Sequence, residues 1–169
     1  MSLHVFEPVS LADWHGGRCL AREGLMVELR TIGFVGIDLT RSPADRGRIL
    51  AMQYSDGVLH RESALWVHTG LHTPPLAEQI DIAREVPRED LVVIGGQQVT
   101  SLERTALDLL IHREDHAIEY ICALVRAGTS VGDIEKLATR RSLGRIVRAR
   151  AILSQLPRDL GVARPSPSQ

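Results

Sequence analysis

Aromatic side chains are scarce in this chain, with two each of Phe, Trp and Tyr making up 4% of 169 residues. The core must therefore be built from aliphatic and alanine side chains. Cysteine is nearly absent. Cys19 and Cys122 stand too far apart in sequence to form a metal-binding pair, and are expected to be two buried free thiols in a reducing cytoplasm. Charge of one sign is missing as well. A formal net charge of -1 excludes a uniformly basic nucleic-acid binder but leaves room for a local basic patch. No apolar run approaches the ~20 residues that span a bilayer, and no basic stretch followed by an apolar run opens the chain. We therefore expect a cytoplasmic protein with no membrane partner. What is present is ordinary for a globular chain: 44% hydrophobic and 24% charged residues, enough for one sizeable core or two small ones.

Several chemistries lack their signatures. Ser63 lies near His60 and His68, but no Gly-x-Ser-x-Gly elbow surrounds it, and a serine at a helix start is commonplace. His68 and His72 are four apart, yet Gly70 and the prolines that follow interrupt the helix that would align them. Gly95-Gly96 has no lysine in Walker spacing and reads as a turn. Asp81 and Glu85 lack the Glu-x-Lys partner of a nuclease strand. We expect no catalytic residue, no metal and no cofactor, so a metal-dependent nuclease or hydrolase stays a lesser alternative.

The patterning predicts an α+β protein. A short helix is expected near Leu11–His15, broken by Gly16-Gly17. A hairpin follows, with Leu25, Val27 and Leu29 on one face and Met26, Glu28 and Arg30 on the other, then a return strand from Phe34 to Leu39. Ser42 before Pro43 signals a helix to about Gln53 that buries Ile49, Leu50 and Met52. A short strand at 58–60 leads into a helix at 62–69 that Gly70 ends. Alternation at Ile80 and Ile82 precedes a buried-type strand, Leu91–Ile94, and a short strand ending at Val99. Helices are expected over 101–112, 114–127, 131–140 and 143–155, then a flexible tail.

The stretch "VTSLERTALDLL" holds the densest signal. Thr100 and Glu103 fit a capping box. Leu102, Ala106, Leu109 and Leu110 recur as a buried face, with Arg104 and Asp108 one turn apart on the far side. Two readings stay open there: a solvated ion pair contributing a few tenths of a kcal/mol, or a pair covered by another layer that organises a groove. Farther on, residues 135–150 carry six cations against one carboxylate, a net +5. Arg141, Arg145 and Arg148 share a helix face suited to phosphate contact, or form a solvated rim around Ile146, Val147, Ala149 and Leu153.

Three segments in order, "GGRCLAREGLMVELRTIGFVGIDL", "VLHRESALWVHTGLHTPP" and "VTSLERTALDLL", resemble the AbiEi-type antitoxin and transcriptional-regulator family of bacterial type IV toxin–antitoxin systems. The matching positions are His60, Ser63, Ala64, His68, Thr100, Ser101, Arg104, Thr105 and Asp108; Thr69 stands where the family has glycine. The resemblance implies a degenerate winged-helix-like segment over 1–41 with its β-hairpin, an AbiEi-like α+β domain over 42–157 combining a small mixed sheet with a C-terminal helical bundle, and a tail over 158–169. It implies a non-enzymatic regulator that binds DNA or a partner protein such as a toxin, and leaves a homodimer or a DNA-free interaction module open. Arg22, Arg30, Arg141, Arg145 and Arg148 are the residues expected at DNA phosphates.

Overall fold

A computed structural model describes residues 5–29, 32–54, 56–71, 75, 80–112, 114–140, 146–157 and 160. It is an α+β protein with two compact units, Met1–Ser101 and Leu102–Gln169.

The first unit opens with α1, Leu11–Arg22, capped by the Ser10 hydroxyl accepting from the Asp13 amide. This helix is longer than expected, because it runs through Gly16-Gly17. The cause is packing. A Cβ at Gly17 would lie 2.3 Å from the Phe34 ring, so the missing side chain admits that ring against the helix, whereas a Cβ at Gly16 would meet nothing. We predict opposite outcomes for two adjacent substitutions. Gly16→Ala should raise stability by about 0.5–1 kcal/mol through helix propensity. Gly17→Ala should lower it by about 1–3 kcal/mol through overpacking. Thermal unfolding of the two variants checks this, and shifts in the same direction would contradict it.

Beside α1 lies the hairpin of β1, Met26–Leu29, and β2, Gly33–Gly36, paired antiparallel with Val27 opposite Val35. The return strand is shorter than expected, since Ile37–Leu39 turn into a 3-10 helix. Glu28 is buried, with Arg18 of α1 reaching its carboxylate at 3.1 Å. Arg30 lies outside the described residues.

Helix α2, Pro43–Ala51, has the predicted start: Ser42 and Asp45 form a reciprocal capping box with Pro43 behind it. The Ser42 hydroxyl holds the Asp45 carboxyl below its ordinary range. Ile49 and Leu50 are buried, but Met52 is 41% exposed because the helix ends at Ala51. β3, Val58–Leu59, leads into α3, Arg61–Thr69, which closes on Gly70 in the left-handed region. β4, Ile82–Ala83, β5, Leu91–Ile94, and β6, Gln97–Thr100, complete a mixed sheet of order β4-β3-β6-β5. β3 and β6 run parallel, and the other pairings are antiparallel. Gly95 and Gly96, both at positive φ, form the two-residue turn of the β5–β6 hairpin. Strand β5 is an edge strand with Val93 72% exposed, which corrects its reading as buried. Its apolar run looked interior because short apolar runs carry no record of edge or centre. The core of this unit joins Val27, Leu29 and Val35 of the hairpin to Ile49, Leu50, Leu59, Trp66, Val67 and Val99.

The second unit is helical: α4, Leu102–His112; α5, Ala117–Ala127; α6, Val131–Arg140; and α7, Ile146–Leu153. A 3-10 turn at Glu114–His116 occupies the expected first turn of α5, and Gly128 caps the helix where it was expected to stop, after residue 127. Residues 141–145, where α7 was expected to begin, lie outside the described residues. Ile146, Ala149 and Leu153 are buried, but Val147 is 72% exposed, so it leaves the apolar set proposed for α7. At the start of α6, Ser130 accepts from the Asp133 amide; hydrogen bonds from Lys136 and Ser130 hold the Asp133 carboxyl below its ordinary range. Of the expected tail only Leu160 is described, and its carbonyl accepts from the Val131 amide. Cys19 is exposed on its helix and Cys122 is half-buried, which corrects the burial expected of both thiols.

Candidate functional site

The family-like residues of the first unit sit at joints between its elements. His60 precedes α3, and its amide donates to the Asp81 carbonyl at 3.2 Å. Ser63, fully buried one turn into α3, accepts from the Asp81 amide at 2.8 Å. Together they bind the segment entering β4 to the start of α3. At the other end of α3, His68 Nε2 lies 2.8 Å from the Thr100 carbonyl oxygen. A carbonyl only accepts, so Nε2 carries the proton and donates. His68 and Thr100, 32 residues apart in sequence, thus clip the end of α3 to β6. Thr100 is a buried strand residue, and α4 begins at Leu102, which leaves Ser101 rather than Thr100 at the flanking position. The Ser101 amide donates to the Asp90 carbonyl.

One residue of this region was missed in the sequence. Arg46 of α2 is buried, and its guanidinium donates to four carbonyls: Val67 at 2.9 Å, Thr40 at 2.9 Å, His68 at 3.2 Å and Arg41 at 3.3 Å. It ties the C-terminal end of α3, where a cation complements the helix dipole, to the turn before α2. Burial lowers its pKa from the usual value. The sequence did hold a signal. Arg46 stands three and four residues before the buried Ile49 and Leu50, on the apolar stripe of its helix.

In the second unit, Arg104 Nε meets Asp108 Oδ1 at 2.9 Å, and the two side chains are 21% and 12% exposed. This favours the covered pair over the solvated one. Thr105 is fully buried between them in sequence. Glu103 accepts from the Thr129 hydroxyl at 2.7 Å, which ties α4 to the loop before α6. Of the residues expected at phosphates, Arg22 is exposed at the end of α1 and Arg148 is exposed on α7. Arg30, Arg141 and Arg145 lie outside the described residues. A hollow of about 490 Å³ along α6 is lined by Lys136, Thr139 and Arg140 together with Glu135. In the first unit a groove of about 630 Å³ has Val58, Leu91 and Gln98 in its lining, with Arg84 and Arg88 beside them.

Among the described residues, no three His, Cys, Asp or Glu side chains are grouped to hold a metal ion, and no helix is long and apolar enough to cross a membrane. Comparison with protein-family models, curated proteins and solved structures finds no match to this chain.

Proposed function

We propose that this chain is a non-enzymatic regulator of the AbiEi antitoxin type, which binds DNA through the basic face of its C-terminal helices. The observation that carries the reading is how the family-like side chains are engaged. Ser63, His68, Arg104 and Asp108 each hold a partner within the fold. Side chains committed to such joints position a recognition surface and supply no proton or nucleophile to a substrate. The cations of α6 and α7 stand on the outside: Lys136, Arg140, Arg148 and Arg150 are all exposed. Arg150 also donates to the Ala138 carbonyl, at 2.6 Å, so its guanidinium is held beside α6. Together with Arg141 and Arg145 these residues make a cationic stretch suited to a phosphate backbone, which favours binding steeply dependent on salt.

The test is fluorescence anisotropy on duplex DNA from upstream of the protein's own coding sequence, across a salt series. Replacing Arg141, Arg145 and Arg148 by alanine together should weaken binding and reduce the slope of log K against log salt by about 3, near one unit per phosphate contact. An unchanged slope would make that face ordinary surface. No binding by the wild-type chain at low salt would favour a protein-interaction module.

A further inference from the structure

We propose that the groove between the 84–88 connection and the open face of the sheet is a phosphate site of the first unit's own, which takes the sugar–phosphate backbone of bound DNA. The inference rests on the DNA binding proposed above and adds a contact to it. Strand register builds the site. Ala83 pairs with Val58 and Val93 with Gln98, and the parallel match of Leu59 to Val99 sets Val58 beside Gln98. Side chains alternate along a strand. This row therefore faces away from Leu59 and Val99, which pack with Ile49 and Leu50 in the core. Val93 is 72% exposed and Gln98 is exposed, so the face is open there.

The same topology fixes the wall of the groove. β4 and β5 are opposite edges of the sheet, so the chain between them crosses three strand spacings, about 14 Å. It is anchored at both ends. The Asp81 amide donates to Ser63 and its carbonyl accepts from the His60 amide, while the Asp90 carbonyl accepts from the Ser101 amide. Between these anchors the Pro87 ring holds its backbone at a φ of -55°. The result is a preformed groove of about 630 Å³, lined by Val58, Leu91 and Gln98 from the sheet and by Arg84 and Arg88 from the crossing segment.

Two features choose the ligand. Arg18, Arg46, Arg48 and Arg61 of this unit each meet a carboxylate or a carbonyl. The Arg84 and Arg88 side chains are exposed, and no hydrogen bond or ion pair among the described residues engages them. Their donors are free for an oxyanion, and a guanidinium matches phosphate through paired N–H groups. No aromatic side chain lines the groove, so it holds no platform for a stacked base. Its aliphatic lining suits the sugar between phosphates instead. Glu85 lines the groove too, and its carboxylate has no partner among the described residues. That carboxylate opposes phosphate, so neutralising it should act in the direction opposite to neutralising the arginines.

Fluorescence anisotropy of the full chain on the same upstream duplex, across a salt series, tests the site. Arg84→Ala/Arg88→Ala should weaken binding and lower the slope of log K against log salt by about 2, near one unit per lost contact. Both side chains are exposed and unpartnered, so this variant should unfold at the wild-type midpoint. Glu85→Gln should tighten binding about two- to fivefold at low salt and lose that gain at high salt. An unchanged slope in the Arg84/Arg88 variant, beside a lowered one in the Arg141/Arg145/Arg148 variant, overturns this site and leaves DNA binding by the C-terminal helices standing. No binding by the wild-type chain at low salt overturns both. Arginine-dependent binding of a poly-glutamate chain, with DNA binding unchanged, would give the groove to an acidic protein segment and overturn the proposal as well.

Discussion

Replacing Arg46 by alanine should cost the first unit about 3–5 kcal/mol, the largest stability loss expected from any single substitution considered. The physical reason is an imbalance. The guanidinium has lost most of its water, and four carbonyls replace it, those of Thr40, Arg41, Val67 and His68. Removing it leaves those acceptors without their donor and opens a cavity beneath Gly70, where even a Cβ would come within 3.1 Å of Arg46 Nη1. In a unit of this size each kcal/mol moves the unfolding midpoint by roughly 4–8 °C, so a drop of more than about 10 °C is expected in a thermal scan. Arg46→Met separates the contributions, since it keeps the apolar stem and removes the donors. It should lose most of the same stability. If Arg46→Met unfolds at the wild-type midpoint, the carbonyl contacts are not what holds α2 to α3.

How much of this was legible in the sequence depends on the element. Ser42-Pro43 marked the start of α2 and Gly70 the end of α3, because capping is local chemistry carried by a few adjacent residues. The α6 limits were legible too, and the alternation over Leu25–Leu29 marked the first strand of the hairpin, though its return strand was read as longer than Gly33–Gly36. Long-range packing was not. Gly16-Gly17 resembled a break because the Phe34 ring that fills the space over Gly17 comes from a distant strand. The Glu28–Arg18 contact was hidden because Arg18 lies on another element, and β5 looked interior because strand order is set by the whole sheet. At the candidate site the residue types in the motif pointed to a constellation, yet the partners Asp81 and Arg46 came from outside it. Arg46 was visible in principle, as the one charged position on an apolar stripe.

The second large effect concerns the motif pair of α4. Asp108→Leu should destabilise the second unit by about 2–4 kcal/mol, because it strips the carboxylate from a guanidinium whose side chain is only 21% exposed. Arg104→Met should do the same to Asp108, at 12% exposure. The double variant Arg104→Met/Asp108→Leu removes both charges and should recover most of the loss, since desolvation offsets much of a covered pair's attraction. A double-mutant cycle by chemical unfolding reads this as a coupling of at least about 1.5 kcal/mol. Additive single effects would mean that the two side chains are independent and that the pair is a surface feature. The same charges on an open helix would couple by only a few tenths of a kcal/mol, so the size of the coupling decides between the two readings of the motif.

The central claim is that the residues carrying the family resemblance brace the fold, while recognition belongs to the cationic helices beyond them. DNA affinity of the folded Arg104→Met/Asp108→Leu variant, measured beside the Arg141/Arg145/Arg148 alanine variant at one salt concentration, tests it most directly. We predict wild-type affinity for the first and a clear loss for the second. A folded double variant that no longer binds DNA, alongside a triple variant that binds as well as wild type, would contradict the account.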